Sequence, residues 1–272
     1  MVSLPINHPS ARRSSSAGRR WNSSTDEILL SGEVYAVRLA RDRDEIRQAQ
    51  RLRFEIFNLE LHEGLESSYL SGLDRDDFDA VCEHLLVIHN ISREIVGTYR
   101  MQTGPNAARH LGYYSAQEFD FTPYEFYRPQ IVELGRACIH HQHRNLAALN
   151  LLWRGIIAYA KKHAARYLIG CSSLTSQDPR LGATTFRNLF HQFMVSEELM
   201  TEPLPKHAFR LEEIYDQCPP PPRLLRAYLN IGAKICAAPA MDREFKTIDF
   251  LTLMDLENLP PLTANRYLNR HS

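Results

Sequence analysis

Apolar and polar residues follow two rhythms along this chain, and the changes between them mark out its elements. Val34, Tyr35, Val37 and Leu39 alternate as a strand over 33–39. From Asp42 the spacing lengthens to that of a helix, with Ile46, Ala49, Leu52, Phe54, Ile56 and Phe57 recurring and Asp42 or Asp44 available as the cap. Leu85 to His89 and Ile95 to Met101 read as two strands joined by a hairpin-sized connection, Asn90 to Glu94. A polar and aromatic stretch, 102–129, contains a short helix around Ser115 to Glu118. Ile131 to His140 predicts a longer strand, Leu146 to His163 an apolar helix with Lys161 and Lys162 at its C-terminal end, and Tyr167 to Ser173 another strand. Strand, helix and apolar strand in that order imply a right-handed parallel crossover in one sheet. Further on, Asp178-Pro179 opens a helix to about His191, Pro219 to Pro222 break the chain, Arg223 to Ile231 predict a helix, and Phe250, Leu251, Leu253 and Met254 a closing strand.

Composition narrows the class. Residues 1–32 are rich in Ser, Arg and Asn, carry Arg12-Arg13 and Arg19-Arg20, and lack an apolar stretch, so they are expected to form a disordered basic tail. One domain over 33–257 and a C-terminal tail over 258–272 complete the expected layout. The 32 basic and 32 acidic residues cancel, which excludes a global field toward nucleic acid or an anionic membrane. No apolar run approaches the ~20 residues that span a bilayer, and a cytoplasmic protein is expected. The five cysteines, Cys82, Cys138, Cys171, Cys218 and Cys236, form no C-x-x-C pair and read as reduced structural thiols.

Four segments carry a resemblance: Arg51-Leu52-Arg53-Phe54, Asp76-Asp77-Phe78-Asp79, Gly97-Thr98-Tyr99-Arg100 and Glu133-Leu134-Gly135-Arg136. Leu225 to Leu229, Gly232-Ala233-Lys234, Asp242-Arg243-Glu244-Phe245 and Asp249-Phe250 extend it to about 257. With the β-α-β-β, β-α-β order, the chain resembles the ornithine-lipid type, hemolysin-like N-acyltransferases of the GNAT superfamily, relatives of the acyl-homoserine lactone synthases. The resemblance implies an α/β fold with a mixed central sheet flanked by helices. It also implies transfer of a long, 3-hydroxylated or plain, fatty acyl group from acyl carrier protein to the α-amine of an amino acid, ornithine first, giving a lyso-aminolipid. The donor is a substrate, acyl carrier protein or coenzyme A thioester, and no resident cofactor is expected. Where GNAT enzymes carry a glycine-rich turn for the coenzyme A pyrophosphate, this chain reads His143-Arg144-Asn145-Leu146-Ala147-Ala148. Without glycine the backbone approaches a pyrophosphate less closely, which favours acyl carrier protein. Trp21 and Trp153 are the two tryptophans, neither soon after the first helix where many lactone synthases carry one. A lactone synthase, an acetyltransferase and a non-catalytic carrier- or lipid-binding module are the alternatives.

Acyl transfer to an amine needs a neutral nitrogen, a thioester held nearby and stabilisation of the oxyanion. Glu133 is the candidate base; it and Arg136 point to opposite faces of a regular strand unless a bulge intervenes. Its alternative is a structural carboxylate paired to Arg100 or Arg136. Where GNAT folds splay their fourth and fifth strands, the resemblance places the pantetheine arm, with backbone N–H groups near Ala137 and Cys138 polarising the thioester. Asp76 and Asp79 either bind an acceptor ammonium, with Arg100 on its carboxylate, or pin their loop through Arg53 or Arg100. Trp153 is a candidate wall of the acyl pocket, and ten buried methylenes would contribute ~8 kcal/mol there. Arg144, Lys161, Lys162 and Arg166, beside one helix, are candidates for an acidic carrier protein. His140, His141 and His143 lack the spacing of a metal site, so no metal is expected. A lipid product makes peripheral contact with the inner membrane reasonable, though no segment demands it.

Overall fold

The computed structural model describes residues 30–217 and 219–268. Most of the expected 1–32 tail, Trp21, Cys218 and the last four residues lie outside the described residues.

Asp42 accepts hydrogen bonds from the backbone N–H groups of Asp44 and Glu45 and so starts helix α1, Arg43–Phe54. Its last turn widens over Glu55–Glu60, where Leu61 N–H donates to Ile56 O and Glu63 N–H to Phe57 O. Two short strands, β1 (Leu30–Ser31) and β2 (Tyr35–Leu39), precede it, so the folded chain begins before residue 33. Helix α2 (Ser68–Ser71) leads to the hairpin β3 (Glu83–His89) and β4 (Ile95–Thr103). A helix not anticipated within 102–129, α3 (Gly104–Arg109), has Pro105 in its first turn and Thr103 as cap. Then come β5 (Ile131–Ile139), α4 (Leu146–Lys162), β6 (Tyr167–Leu174), α5 (Pro179–Phe193), α6 (Arg223–Asn230), β7 (Lys234–Ile235), β8 (Ala240–Asp242), β9 (Thr247–Asp255) and α7 (Pro261–Tyr267). The last helix packs on α4 within what sequence reads as a tail, its Tyr267 donating to Asn150.

Among the described residues nine strands form one sheet, in the order β1-β2-β3-β4-β5-β6-β9-β7 with β8 beside β9. β5 and β6 run parallel, as the crossover requires, and the other strand pairs are antiparallel. Alternation divides the sheet's side chains between two layers. On the back, Val37, Leu85, Val87, Tyr99, Met101, Val132, Leu134 and Leu168 pack against α4, and Ile248 and Phe250 against α5 and α6. On the front, Leu86 and Ile88 meet Ala49 of α1, Cys138 meets Leu52, Ile56 and Phe57, and Ile169, Leu251 and Leu253 lie under Phe119 and Tyr124. Each fully buried Leu or Ile contributes ~1.5–3 kcal/mol, so these layers are what hold the sheet between its helices.

Gly155 is what lets α4 sit close to the sheet, since a Cβ there would lie 2.6 Å from Val37 Cγ1 and 3.1 Å from Leu85 Cδ2. Replacing it (Gly155→Val) overpacks this contact and lowers stability by ~1–3 kcal/mol in urea denaturation. An unchanged midpoint would mean that α4 can lift away without loss.

Candidate active site

Three arginines converge on the front of the sheet. Arg53 from α1 is fully buried; its guanidinium donates to both carboxylate oxygens of Asp79, at 3.0 and 2.7 Å, and its Nε lies 2.8 Å from Asp74 Oδ1. Arg100 of β4 donates to Asp76 at 2.5 Å and to Asp79 at 3.1 Å, and Arg136 of β5 reaches Asp76 at 3.1 Å and Asp74 at 3.4 Å. Asp76 also caps the turn Asp77–Ala80, with Asp79 bonding back to the Asp76 N–H. The acidic loop is therefore pinned by its own cap and by all three arginines. Burial by itself would raise the Asp79 carboxyl, but the charge and hydrogen bonds of Arg53, with Arg100 behind them, hold it well below the usual range. His84, buried against the same group, is lowered to about 4 by burial first and by Arg53 second.

A β-bulge decides where Arg136 points. Thr98 pairs with Cys138 and Arg100 with Gly135, so Arg136 and Ala137 together face Tyr99 alone. Arg136 takes a left-handed φ of 53°, costly for a residue with a Cβ. The bulge puts Arg136 on the same face as Glu133, where it stacks on Tyr114 and Phe245, at 4.8 and 4.3 Å. Arg100 lies over the same Tyr114 ring at 5.1 Å. Glu133, 4% exposed, pairs with neither arginine: it accepts from Tyr114 N–H at 2.9 Å, Ser115 N–H at 2.8 Å and Gln102 Nε2 at 2.7 Å. It thereby ties the turn 113–118 down onto the sheet.

Beyond Glu133 the parallel strands separate. Ile131, Val132 and Glu133 pair with Tyr167, Leu168 and Ile169, and no register pair follows. A narrow cleft opens there on the back face, lined by Leu134, Gly170, Tyr99, Trp153, Tyr228 and Met254. Gly170 is required at its edge, because a Cβ would lie 2.1 Å from Leu134 O. Trp153 meets Tyr228 edge-on at 5.5 Å, and Tyr99 and Tyr228 share a hydroxyl hydrogen bond of 2.6 Å; with the Ser172 and Thr252 hydroxyls it is a polar point in a largely apolar wall.

Other anticipated residues lie elsewhere. Cys138 is buried against α1 with its thiol raised to about 12 by burial, and Ala137 sits in the bulge beside the back-face core. Arg144 precedes α4 and forms two bonds to Glu60, whereas Lys161 and Arg166 are at the helix's other end, ~25 Å away along 17 residues. Lys161 donates to Leu268 O, and Arg166 is paired with Asp255 and Glu257. The expected basic patch is thus two separate ends, with Arg144 and Arg166 each paired to acids. At the start of α4 Asn145 caps through a bond from Ala148 N–H and donates to Tyr35.

Glu63, Glu118 and Asp249 are buried carboxylates that face this site and that motif reading left without a chemical role. A signal was present for Asp249: a charge flanked by Ile248 and Phe250 in a strand, where an unpaired acid is rarely buried. Burial raises Glu63 to about 7, with repulsion from Asp249 adding to it and the Thr175 hydroxyl and Arg136 opposing.

The acetyltransferase (GNAT) domain family matches residues 52–154, from α1 into α4. Over most of its length the chain is similar to the L-ornithine N(alpha)-acyltransferase of Brucella abortus, 30% identical across 90% of this chain and 92% of that protein. The L-ornithine N(alpha)-acyltransferase of Agrobacterium fabrum is 29% identical across 99% and 96%. Among solved structures, the AHL synthase LasI superposes with a TM-score of 0.50 at 13% identity, covering 87% of this chain and 96% of its own. FeeM, an N-acyl amino acid synthase from uncultured soil microbes, gives 0.50 at 10% identity, covering 85% and 97%. These likenesses establish the GNAT acyltransferase fold.

Glu63 binds its proton more tightly folded than unfolded, so between about pH 4.3 and 7 the native state holds the extra proton and stability falls as pH rises. Glu63→Gln removes that contribution: the loss of stability from pH 5 to pH 8, read by urea unfolding, becomes smaller than in the parent. An equal loss in both proteins would contradict the assignment.

Proposed function

The chain belongs to the L-ornithine N(alpha)-acyltransferase family, and we propose that it moves a long acyl chain from a carrier-protein thioester to the α-amine of ornithine. The enzyme is an acyltransferase, and its product is an N-acylated amino acid. The observation that carries the reading is the separation of β5 from β6, which sets an apolar cleft on one face beside a charged, water-poor site on the other. A thioester arm entering past the point where Gly170 touches Leu134 would present its carbonyl to the front face and its tail to Trp153, Tyr228 and Met254. Such a tail gains ~0.8 kcal/mol per buried methylene, which an acetyl group does not supply. The cleft is narrow, so a long chain widens it by moving side chains on α4 and α6.

In this reading Arg136 holds the ornithine carboxylate: it faces the site, and its stacking on Tyr114 and Phe245 fixes its plane. Arg53, Asp76, Asp79 and Arg100 set its position through their shared network. Glu133 orders the turn that carries Tyr114 and Glu118, and the bulge at Ala137 offers a backbone N–H to the thioester oxygen. Acyl carrier protein is favoured as donor because Asn145 already caps α4 and Arg144 is bound to Glu60, leaving little there for a pyrophosphate. The Tyr99–Tyr228 hydroxyl pair suits a 3-hydroxyl on the chain. Among the described residues no helix is long and apolar enough to cross a membrane, and a peripheral contact with the inner leaflet accords with a lipid product.

Purified protein given carrier-protein and coenzyme A thioesters, acetyl or long-chain, with a panel of amino acids is expected to yield N-acyl ornithine from the long-chain carrier thioester fastest, by mass spectrometry. No product from any thioester with ornithine would contradict the reading. Tyr228→Phe is expected to reduce the preference for 3-hydroxyacyl over plain acyl by about tenfold, the worth of one hydrogen bond, with the plain-acyl rate kept. An unchanged preference would remove that pair from chain recognition.

A further inference from the structure

Beside the balanced arginine–aspartate network lies a set of carboxylates without a matching cation. Ser173 pairs with Asp249, and Ala240 and Asp242 of β8 flank Asp249 and Thr247 of β9, which places Cys171, Asp249 and Asp242 on the front face. Glu118 descends on them from the turn that Glu133 ties down, and its carboxylate, the Asp249 carboxylate and the Cys171 sulfur lie within 4.8 Å of one another. Glu118 is 3% exposed and Asp249 4%, yet among the described residues Glu118 Oε2 and Asp249 Oδ1 have no hydrogen-bond partner. A buried carboxylate oxygen left empty is costly unless it meets a proton or a cation. Arg136, the cation that faces them, is already bonded to Asp76 and lies beside Asp74. Cys171 also lines the cleft between β5 and β6, so the empty oxygens sit about one side chain from where the thioester would enter.

We infer that Glu118 and Asp249 form the amine-receiving site of the transfer, binding the acceptor's α-ammonium and taking the proton it must lose before attack. The inference rests on the acyl-transfer reading above. The ammonium gives one proton to the carboxylate pair, and the nitrogen lone pair then forms the C–N bond to the thioester carbonyl. The tetrahedral intermediate collapses with cleavage of the C–S bond, the second nitrogen proton goes to the departing thiolate, and the pair returns its proton to solvent. No oxidant, reductant or metal enters the balance.

The surroundings tune the pair for this. Burial, then repulsion from Asp249 and Asp242, pushes Glu118 well above the usual carboxylate range, and burial first lifts Asp249 to about 6. The groups facing the pair are Asp242 of β8, Cys171 of β6, Arg136 and Glu133 of β5, Tyr114 of the overlying turn, and Glu63 after α1. A base poised near the working pH is the efficient one.

The test uses the full chain, a long-chain carrier-protein thioester and ornithine, with kcat/KM for ornithine measured from pH 5 to 9 and ornithine binding measured by calorimetry without donor. Wild type is expected to show a limb rising through about pH 6. In Glu118→Gln and Asp249→Asn that limb disappears, kcat/KM for ornithine falls ~10²–10⁴-fold, and the donor KM stays within about twofold. Asp249→Glu, which keeps a carboxylate, retains the limb, and serves if the amide variants do not fold. A folded variant with the wild-type limb and rate, a loss confined to the donor KM, or activity that depends on an added divalent cation would each overturn the inference. If wild type binds ornithine but acylates another amine instead, the acceptor reading fails while the same pH comparison, run on that amine, still decides the role of the pair.

Discussion

Three guanidinium groups buried beneath one helix cannot remain there uncompensated, and much of the front of this molecule is arranged around that constraint. Arg53, Arg100 and Arg136 come from a helix and two strands, and one short acidic loop answers all of them through Asp74, Asp76 and Asp79. Breaking such a buried set by removing one partner costs about 3–5 kcal/mol, because the charge left behind is stranded in a poor solvent. The loop is fixed for this reason, and so is the bulge in β5: Arg136 can enter the network only from the face to which its left-handed backbone turns it.

The bulge and the parting of β5 from β6 lie on successive stretches of one strand. Pairing with β6 ends at Glu133, and the irregular pairing with β4 falls three residues later. A strand bent at that place opens toward the back face, where Trp153 and Tyr228 stand, and presents Arg136 on the front. Charge is balanced on one side of Tyr114 and in excess on the other. The three arginines meet three aspartates, whereas burial first, and mutual repulsion after it, raise the proton affinities of Glu118, Asp249 and Glu63, with Arg136 only partly opposing this at Glu118 and Glu63. A substrate carrying ammonium groups suits that imbalance.

Much of the fold was legible in the sequence because it rests on local periodicity and caps. Asp42, Asn145 and Asp178 start helices α1, α4 and α5 where the polar-to-apolar change suggested, and the parallel crossover followed from the apolar strand after α4. The bulge was legible as a condition: Glu133 and Arg136 could share a face only if the strand broke its alternation. What sequence left open was long-range. Glu118 and Asp249 are far apart along the chain and meet because a turn folds over the sheet, and no local pattern pairs them. The basic patch failed for a different reason: Arg144 and Arg166 stand at opposite ends of the helix that the sequence itself predicts, and lying beside one helix does not make them neighbours.

The most direct test of transfer at the parting of β5 and β6 is a crystal structure of the protein bound to a non-reactive thioether analogue of a long-chain acyl-pantetheine. The account predicts sulfur in the gap past the contact of Gly170 with Leu134, with the chain running back along Trp153 and Tyr228. A chain lying over Ile169 and Leu251 on the front face, with β5 and β6 closed behind it, would contradict it.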